Sequence, residues 1–305
     1  MPLEAKIAFT WSRIKEWYSH YQGDVYVSYS GGKDSTVLLD IAKSLYPDIP
    51  AVFCDTGLEY PEVRELALKN ADVVLKPEMT FKQVLEHHGY PVIGKKQARM
   101  ICDLQNESES NKAVCNLHRT GYTKDGKYSP SFKLAQRWMA LVDAPFKVSE
   151  RCCDVMKKDP TKKYEKETGR KPLIATMTEE SQLREQSYLK HGCNAFDSSR
   201  PKSTPMAIWT EQDVLQYIVD NNIEYASCYG EIKQLEDGSL VTTREHRTGC
   251  MFCMFGIQYD GTPNRFQRME RDYPKQYDYC INKLGIGAVL DYVGIPYRYQ
   301  PTLFD

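Results

Sequence analysis

Ser28-Tyr29-Ser30-Gly31-Gly32-Lys33-Asp34-Ser35-Thr36 is the stretch that decides the fold of this chain. Ahead of it, Asp24-Val25-Tyr26-Val27 is a short β-branched and aromatic run. Behind it, Val37-Leu38-Leu39-Asp40-Ile41-Ala42 is an apolar helical stretch. A strand ends, a glycine turn follows, and a helix begins. Backbone N–H groups at a helix start, together with the helix dipole, form an anion site. Gly31 and Gly32 let the backbone approach a phosphate without a Cβ clash. Lys33 adds a positive charge, and Ser30 and Ser35 add hydroxyl donors. Two commoner phosphate loops are excluded. A Walker A loop needs a glycine where this chain has Val27, and a Ser or Thr directly after the lysine, where it has Asp34. A G-x-G-x-x-G dinucleotide fingerprint is also absent.

The 305 residues allow one large α/β domain, or one domain with a smaller appendage. A hydrophobic content of 41% supplies a core, and a net charge of -1 gives no global basic field. There is no run of about 18 apolar residues to span a membrane. The start, Met1-Pro2-Leu3-Glu4-Ala5-Lys6, lacks the apolar stretch of a signal peptide. Ten cysteines without a secretion signal point to a reducing cytoplasm, and to cysteines with chemistry to perform.

Outward from the loop, residues 3–19 read as an amphipathic helix with Trp11 and Trp17 in the core. A second strand, Ile49–Cys54, runs into Asp55-Thr56-Gly57-Leu58-Glu59-Tyr60-Pro61-Glu62, and Ala71–Leu75 is a third. Phe81–His88 is a helix stopped by Gly89, with His87 and His88 solvated at its end. Gly94-Lys95-Lys96-Gln97-Ala98-Arg99 is basic and suits phosphates or plain solvent equally. Residues 103–130 are polar and turn-rich, a loop insertion and candidate lid. Cys102, Cys115 and His118 fit no compact metal knuckle and read as structural. Lys171–Met177 is a strand entering Thr178-Glu179-Glu180-Ser181-Gln182-Leu183-Arg184. Pro205–Trp209 reads as the last strand, before a helix from Glu211 to Ile218 capped by Thr210. Strands alternating with helices predict a parallel sheet with sites at the strand carboxyl ends, which places Asp55 on the edge of the glycine loop.

Ser30-Gly31-Gly32-Lys33-Asp34-Ser35 resembles the pyrophosphate loop (PP-loop) of the ATP pyrophosphatase superfamily, whose members split ATP between the α- and β-phosphates and adenylate a substrate. Asp55-Thr56-Gly57 with Pro61-Glu62 resembles the second motif of the phosphoadenylyl-sulfate reductase and ATP sulfurylase branch, where it lies beside the nucleotide. A plain turn or N-cap role is the alternative for Asp55. Glu180-Ser181-x-x-Arg184 resembles the third motif, but Thr178 stands where an arginine is common and no glycine precedes it, which puts one phosphate or sulfate contact in doubt. The resemblance implies an α/β fold: a Rossmann-like, parallel-sheet, adenine nucleotide alpha hydrolase-like domain over residues 1–222. A smaller, mainly helical region follows over 223–305. It implies ATP and Mg²⁺ as ligands, with contacts from Ser28, Ser30, Gly31, Gly32, Lys33, Asp34, Ser35, Asp55, Thr56, Gly57, Glu180, Ser181 and Arg184. Lys33 and Asp34 would be catalytic.

Cys152-Cys153 and Cys250-Met251-Phe252-Cys253 supply four thiolates, which suit a tetrahedral zinc or a [4Fe–4S] cluster. Adjacent cysteines diverge and are awkward around one small ion, whereas a cluster offers separate irons. A redox disulfide at Cys250 and Cys253 is a further reading. Cys-Cys followed far downstream by Cys-x-x-Cys resembles the cluster ligation of adenylyl-sulfate reductases. This implies a [4Fe–4S] cluster on Cys152, Cys153, Cys250 and Cys253, with Lys157 as the basic residue between cluster and substrate. Cys193 is a candidate to carry or receive sulfur, or else a buried structural thiol. Cys54, Cys228 and Cys280 read as core or incidental.

The reductase branch attacks with a thiol on a C-terminal Glu-Cys-Gly-Leu-His tail and usually has a degraded PP-loop. This chain has no cysteine after Cys280 and an intact loop, so both departures point to ATP cleavage. An adenylating loop with a cluster resembles the DNA phosphorothioation ATP pyrophosphatases and the cluster-bearing tRNA thiolation enzymes. That likeness implies adenylation of a nucleic acid, then displacement of AMP by sulfur from a donor protein such as a cysteine desulfurase. Arg265, Phe266, Arg268, Arg271, Tyr273, Tyr297, Arg298 and Tyr299 interleave cations with aromatics and are expected to grip the nucleic acid, the alternative being ordinary helix surface and core. An assimilatory sulfonucleotide reductase, and a nucleotide-binding sensor or partner subunit without turnover, are the other functions kept open. No membrane partner is expected, and a homo-oligomer is compatible with the sequence.

Overall fold

The computed structural model describes residues 1–300; Pro301–Asp305, the end of the cysteine-free tail, lie outside the described residues. In chain order the helices are α1 (Leu3–His20), α2 (Lys33–Leu45), α3 (Pro61–Asn70), α4 (Phe81–His88), α5 (Lys95–Gln105), α6 (Lys112–Thr120), α7 (Asp159–Thr168), α8 (Gln182–His191), α9 (Glu211–Asp220), α10 (Arg265–Asp272), α11 (Pro274–Asp278) and α12 (Ile286–Val293). The strands are β1 (Val25–Tyr29), β2 (Ala51–Cys54), β3 (Val73–Leu75), β4 (Val92–Ile93), β5 (Lys171–Leu173), β6 (Asn194–Ala195), β7 (Lys202–Ser203), β8 (Ile232–Gln234), β9 (Leu240–Thr242) and β10 (Met254–Phe255). The chain divides into two compact units: Met1–Pro77 with Lys157–Gly249, and Glu78–Met156 with the segment from Cys250 onward. This differs from a cut after residue 222. The β8–β9 hairpin stays with the first unit because Gln212 on α9 bonds both backbone groups of Leu240, at 2.9 and 2.7 Å.

The first unit is built on a six-stranded sheet of order β3-β2-β1-β5-β7-β6. Every pairing is parallel except β6 with β7. Val25, Val27, Tyr29, Ala51 and Phe53 are buried with Val37, Leu38 and Ile41 of α2, as expected for strands covered on both faces. β1 has β2 on one side and β5 on the other, so the topological switch point lies at β1, and the ligand crevice of such a sheet opens beyond the carboxyl ends there.

Two readings are corrected. The buried stripe of α1 is Lys6, Thr10, Ile14 and Trp17; Trp11 lies about 100° round the helix from Thr10 and is exposed, leaving Trp17 alone in the core. Pro205–Trp209 is a turn, and the last parallel strand of the six-stranded sheet is β7. Pro205 has no N–H for a ladder, Ala207 and Trp209 bond back to Thr204 and Met206 at 3.0 Å each, and Met206 and Trp209 are apolar because they plug the core.

The second unit pairs β4 with β10 in parallel, Val92 opposite Met254. Thr80 and Gln83 form a capping box at the start of α4, and Gly89, at φ +103°, ends it. The 103–130 stretch is more than a loop, since it carries α6. His118 on α6 is buried, with Nε2 3.2 Å from Asp103 Oδ2 and Nδ1 3.1 Å from the Phe132 carbonyl oxygen, and the Cys115 thiol donates to the Asp103 carbonyl at 3.3 Å. These contacts give both residues structural work, as their spacing suggested. No helix among the described residues is long and apolar enough to cross a membrane.

Candidate functional site

β1 ends at Tyr29, and Ser30-Gly31-Gly32 turns the chain into α2. Gly31 has φ +75°, and a Cβ there would stand 2.3 Å from the Val63 carbonyl oxygen and 2.9 Å from the Ala67 Cβ, so glycine alone fits. The two serines close the loop on itself. Their hydroxyls are 2.9 Å apart, Ser30 N–H donates to Ser35 Oγ at 3.2 Å, and Gly32 N–H donates to Ser30 Oγ at 3.3 Å. Ser28 stays within β1, opposite Val52.

Lys33 opens α2 with its side chain almost wholly buried. Its ammonium donates to the His246 carbonyl at 2.6 Å, pairs with Glu211 at 3.0 Å and lies 5.3 Å from the centre of the Tyr229 ring. Burial pushes the Asp34 carboxyl above its ordinary range; the Lys33 charge opposes this and the Glu211 charge adds to it. Among the described residues, Asp34 Oδ1 is a buried oxygen without a hydrogen-bond partner, 4.0 Å from the Lys33 ammonium, whereas Glu211 Oε1 is the oxygen that pairs with Lys33 at 3.0 Å.

The third motif converges on the same place. Glu180 accepts the Met177 N–H at 3.0 Å, pairs with Arg184, and lies 3.6 Å from Arg247. Ser181 caps α8 by accepting the Arg184 N–H at 3.3 Å. The charges of Arg247 and Arg184 both act on Asp34, so the glycine loop and the Glu180–Arg184 segment share one electrostatic site. Thr178 is spent on the Ala207 carbonyl, to which its N–H and its hydroxyl both donate at 2.9 Å.

The second motif is wired internally. Arg64 grips Asp55 with two bonds of 2.8 Å, and the Gly57 N–H adds a third at 3.3 Å. The guanidinium holds the Asp55 carboxyl below its ordinary range. The Thr56 hydroxyl donates to Glu59 at 2.7 Å, and Glu59 pairs with Lys157 at 3.4 Å. Asp55 thus sits at the carboxyl end of β2 as expected, with its carboxylate committed to the turn.

Sequence reasoning missed Tyr229, Glu211, His246, Arg247 and Thr248 at the loop. Arg247-Thr248-Gly249 just ahead of Cys250 was a readable signal; one tyrosine among 21 was not. Cys193 lines a pocket of about 40 Å³ with Arg184, Tyr188 and His191, and burial pushes its thiol up to about 11, which disfavours a thiolate nucleophile.

In the second unit, Cys152 and Cys153 lie in helical backbone that continues as a π-helical turn, Asp154–Lys158. Adjacent helical side chains diverge by about 100°, and the two sulfurs are 3.9 Å apart. The Cys250–Cys253 knuckle is closed by the Cys253 N–H donating to the Cys250 carbonyl at 3.1 Å. Arg265 braces it, donating to the Cys253 and Phe255 carbonyls at 3.1 and 3.2 Å while clasping Asp260. The Cys152 thiol is held far up by its bond to Cys153, by burial, and by the charges of Cys153, Cys253 and Cys250. Among the described residues no three Cys, His, Asp or Glu side chains close on a single ion.

Part of the C-terminal cation and aromatic series is engaged within the fold, while Arg271 and Arg298 are exposed. Phe266 and Tyr273 are buried, Arg265 is bonded as above, Arg268 donates to the Pro263 carbonyl at 2.7 Å, and Arg271 pairs with Asp272 at 2.9 Å and lies over the Tyr299 ring. The Tyr297 hydroxyl donates to Asp291 at 3.1 Å, and the Arg298 carbonyl accepts from Gln267 at 3.0 Å.

Comparison with known proteins sets this geometry in a family. Two uncharacterized proteins of Methanocaldococcus jannaschii are 32% and 37% identical over 124 and 103 residues, 38% and 30% of this chain and 29% and 20% of their own lengths. An adenosine 5'-phosphosulfate reductase of Staphylococcus epidermidis is 31% identical over 97 residues, 29% of this chain and 40% of that one. The chain thus spans well under two thirds of each relative's length. A crystal structure of phosphoadenylyl-sulfate (PAPS) reductase from Candida auris, in a phosphate complex, aligns at 17% identity with a TM-score of 0.40, over 70% of this chain and 80% of that chain. The model of the phosphoadenosine phosphosulfate reductase domain matches residues 24–91 and 98–254, more than half of the chain, and the protein belongs to that family.

Proposed function

We propose that the protein is an ATP-dependent, adenylating sulfur-transfer enzyme that releases AMP and pyrophosphate and acts on nucleic acid, as in DNA phosphorothioation or tRNA thiolation. The observation that carries this reading is the intact PP-loop with a buried ammonium at the first turn of α2. An acceptor oxygen attacks the α-phosphorus, the α–β anhydride bond breaks, and the leaving pyrophosphate gathers negative charge. Loop amides and Lys33 face that charge from a desolvated setting, where a fixed cation acts most strongly. Asp34 Oδ1, buried and without a hydrogen bond among the described residues, fits a Mg²⁺ ion held by one carboxylate and by substrate phosphates.

The all-sulfur donor set of Cys152, Cys153, Cys250 and Cys253 fits a [4Fe–4S] cluster, because diverging neighbours can serve separate irons. When bound, such a cluster supplies iron and sulfide sites for sulfur chemistry. The chain's own part is to hold the four thiols: the Cys253 turn and the Arg265 brace set one pair, and the helical backbone sets the other.

The test is an anaerobic incubation with Mg-ATP, cysteine, a cysteine desulfurase and either DNA or tRNA. Pyrophosphate release should depend on the acceptor, and mass spectrometry of nucleosides and dinucleotides should find sulfur in it. Acceptor-independent release with no sulfur in either polymer would remove nucleic acid from the proposal. The likeness to an adenosine 5'-phosphosulfate reductase favours a second reading, sulfonucleotide reduction. Multiple-turnover sulfite production from adenosine 5'-phosphosulfate and reduced thioredoxin would establish it instead.

A further surface that suits a polyanion lies in the first unit. A groove of about 400 Å³ is lined by Lys162, Lys166, Lys171 and Arg200, with Glu165 as its acid. Arg200 is fixed there by two bonds of 2.9 Å to Glu165. Lys171 begins β5, so the groove opens at the amino ends of the strands and would hold flanking backbone, leaving the carboxyl edge to the reacting nucleotide. Reversing Lys166 and Lys171 to Glu should weaken nucleic-acid binding at low salt by about tenfold and lower the salt slope by about one per lost phosphate contact. Filter binding at two salt concentrations measures both; an unchanged slope would place the polymer elsewhere.

A further inference from the structure

We infer that Tyr229 is a positioning residue of the phosphate site: its ring seats the Lys33 ammonium, and its hydroxyl, held by Thr248, keeps the place of a phosphate oxygen at the Lys33 amide until a nucleotide displaces it. The inference rests on the reading of residues 30–35 as a nucleotide loop. Three of the loop's backbone N–H groups are engaged by hydroxyl oxygens: Ser30 by Ser35, Gly32 by Ser30, and Lys33 by Tyr229 at 3.3 Å. The serines belong to the motif. Tyr229 comes from a 3₁₀ turn, Ser227–Tyr229, nearly two hundred residues away in sequence (|i−j| = 196), and is 2% exposed. A phenol oxygen that accepts from a helix-start amide makes the bond an anionic oxygen makes there, only more weakly. The hydroxyl is also 2.5 Å from Thr248 Oγ1, so both oxygens stand at the loop, and a Cβ on Gly32 would lie 3.3 Å from one and 3.6 Å from the other. Smallness at Gly32 therefore keeps room for two side-chain oxygens in the seat where phosphate oxygens would bind.

The same ring faces the Lys33 ammonium at 5.3 Å, a cation–π distance, while the ammonium donates to the His246 carbonyl and pairs with Glu211. Arg244 N–H donates to the Tyr229 carbonyl at 3.1 Å, and Tyr225 donates to the Gly230 carbonyl at 3.0 Å, so the tyrosine is itself anchored on both sides. Ring and hydroxyl then have separable jobs: the ring sets where the charge sits, and the hydroxyl competes with the ligand.

Tyr229→Phe keeps the ring and removes the competing oxygen; Tyr229→Leu removes both. Titrating Mg-pyrophosphate by calorimetry, the Phe variant should bind about 2- to 10-fold more tightly than the parent chain, the range of one net hydrogen bond. In ATP-dependent pyrophosphate release, the kcat of the Leu variant should fall about tenfold or more below that of the Phe variant, because a misplaced ammonium loses its alignment. Weaker binding in Tyr229→Phe, or equal kcat in the two variants, would overturn the assignment. Should no acceptor support pyrophosphate release by any form of the protein while Tyr229→Phe still binds pyrophosphate more tightly, the adenylating function falls and the role of Tyr229 at the phosphate seat stands.

Discussion

Lys33→Ala is expected to lower ATP-dependent pyrophosphate release by about 100-fold or more, the cost of removing one preorganised contact to developing charge. Lys33 is a buried ammonium at the first turn of a helix, where dipole, amides and side chain all point positive. Its removal also leaves Glu211 without its cation and the His246 carbonyl without its donor, so some stability is lost with the activity. Thermal unfolding followed beside the rate separates the two losses. A folded variant that releases pyrophosphate at the parent rate would take the loop out of the reaction.

The second large effect concerns the four thiols. Protein purified without oxygen should be brown, with iron and sulfide in equal amounts, and Cys250→Ala or Cys152→Ala should lose most of both together with the visible absorption shoulder. The donor set has no spare thiolate within it, so one deletion opens a corner of the cluster. Cys102→Ala, outside the set, should keep its iron. Colourless protein carrying stoichiometric zinc would overturn the assignment. The cluster is also expected to resist loss better than the closeness of Cys152 and Cys153 alone would allow, because the Arg265 brace fixes the opposite pair before metal arrives.

How much of this was legible beforehand depends on the range of the interaction concerned. The glycine loop was legible from residues within one strand–turn–helix, since φ at Gly31, the cap at Gly32 and the charge at Lys33 are local properties of that stretch. The parallel sheet followed from the alternation of elements, and α4 with its Gly89 stop from local capping chemistry. Misreadings fell where burial decides. Pro205–Trp209 is as apolar as a strand but is a turn filling the core, and Trp11 differs from Trp17 only by which side of α1 meets the sheet. For the Arg and aromatic series of 265–299, composition does not reveal which cations are already bonded; Asp260, Asp272 and backbone carbonyls take three of them, and Arg298 stays exposed.

By itself the sequence determined the α/β class, the glycine loop at the end of β1, the motif order of the family, and the four candidate sulfur ligands. Each of those is carried by neighbours in the chain, or by residue types with few other uses. Only the tertiary structure decided that Tyr229, Glu211 and His246 surround Lys33, that Thr248 meets the Tyr229 hydroxyl and Arg247 meets Glu180, that Arg64 grips Asp55, and that the chain divides into two units interleaved in sequence. Those outcomes depend on contacts between residues far apart in sequence, set by how buried faces pack, and no local pattern encodes which distant side chain will fill a given seat.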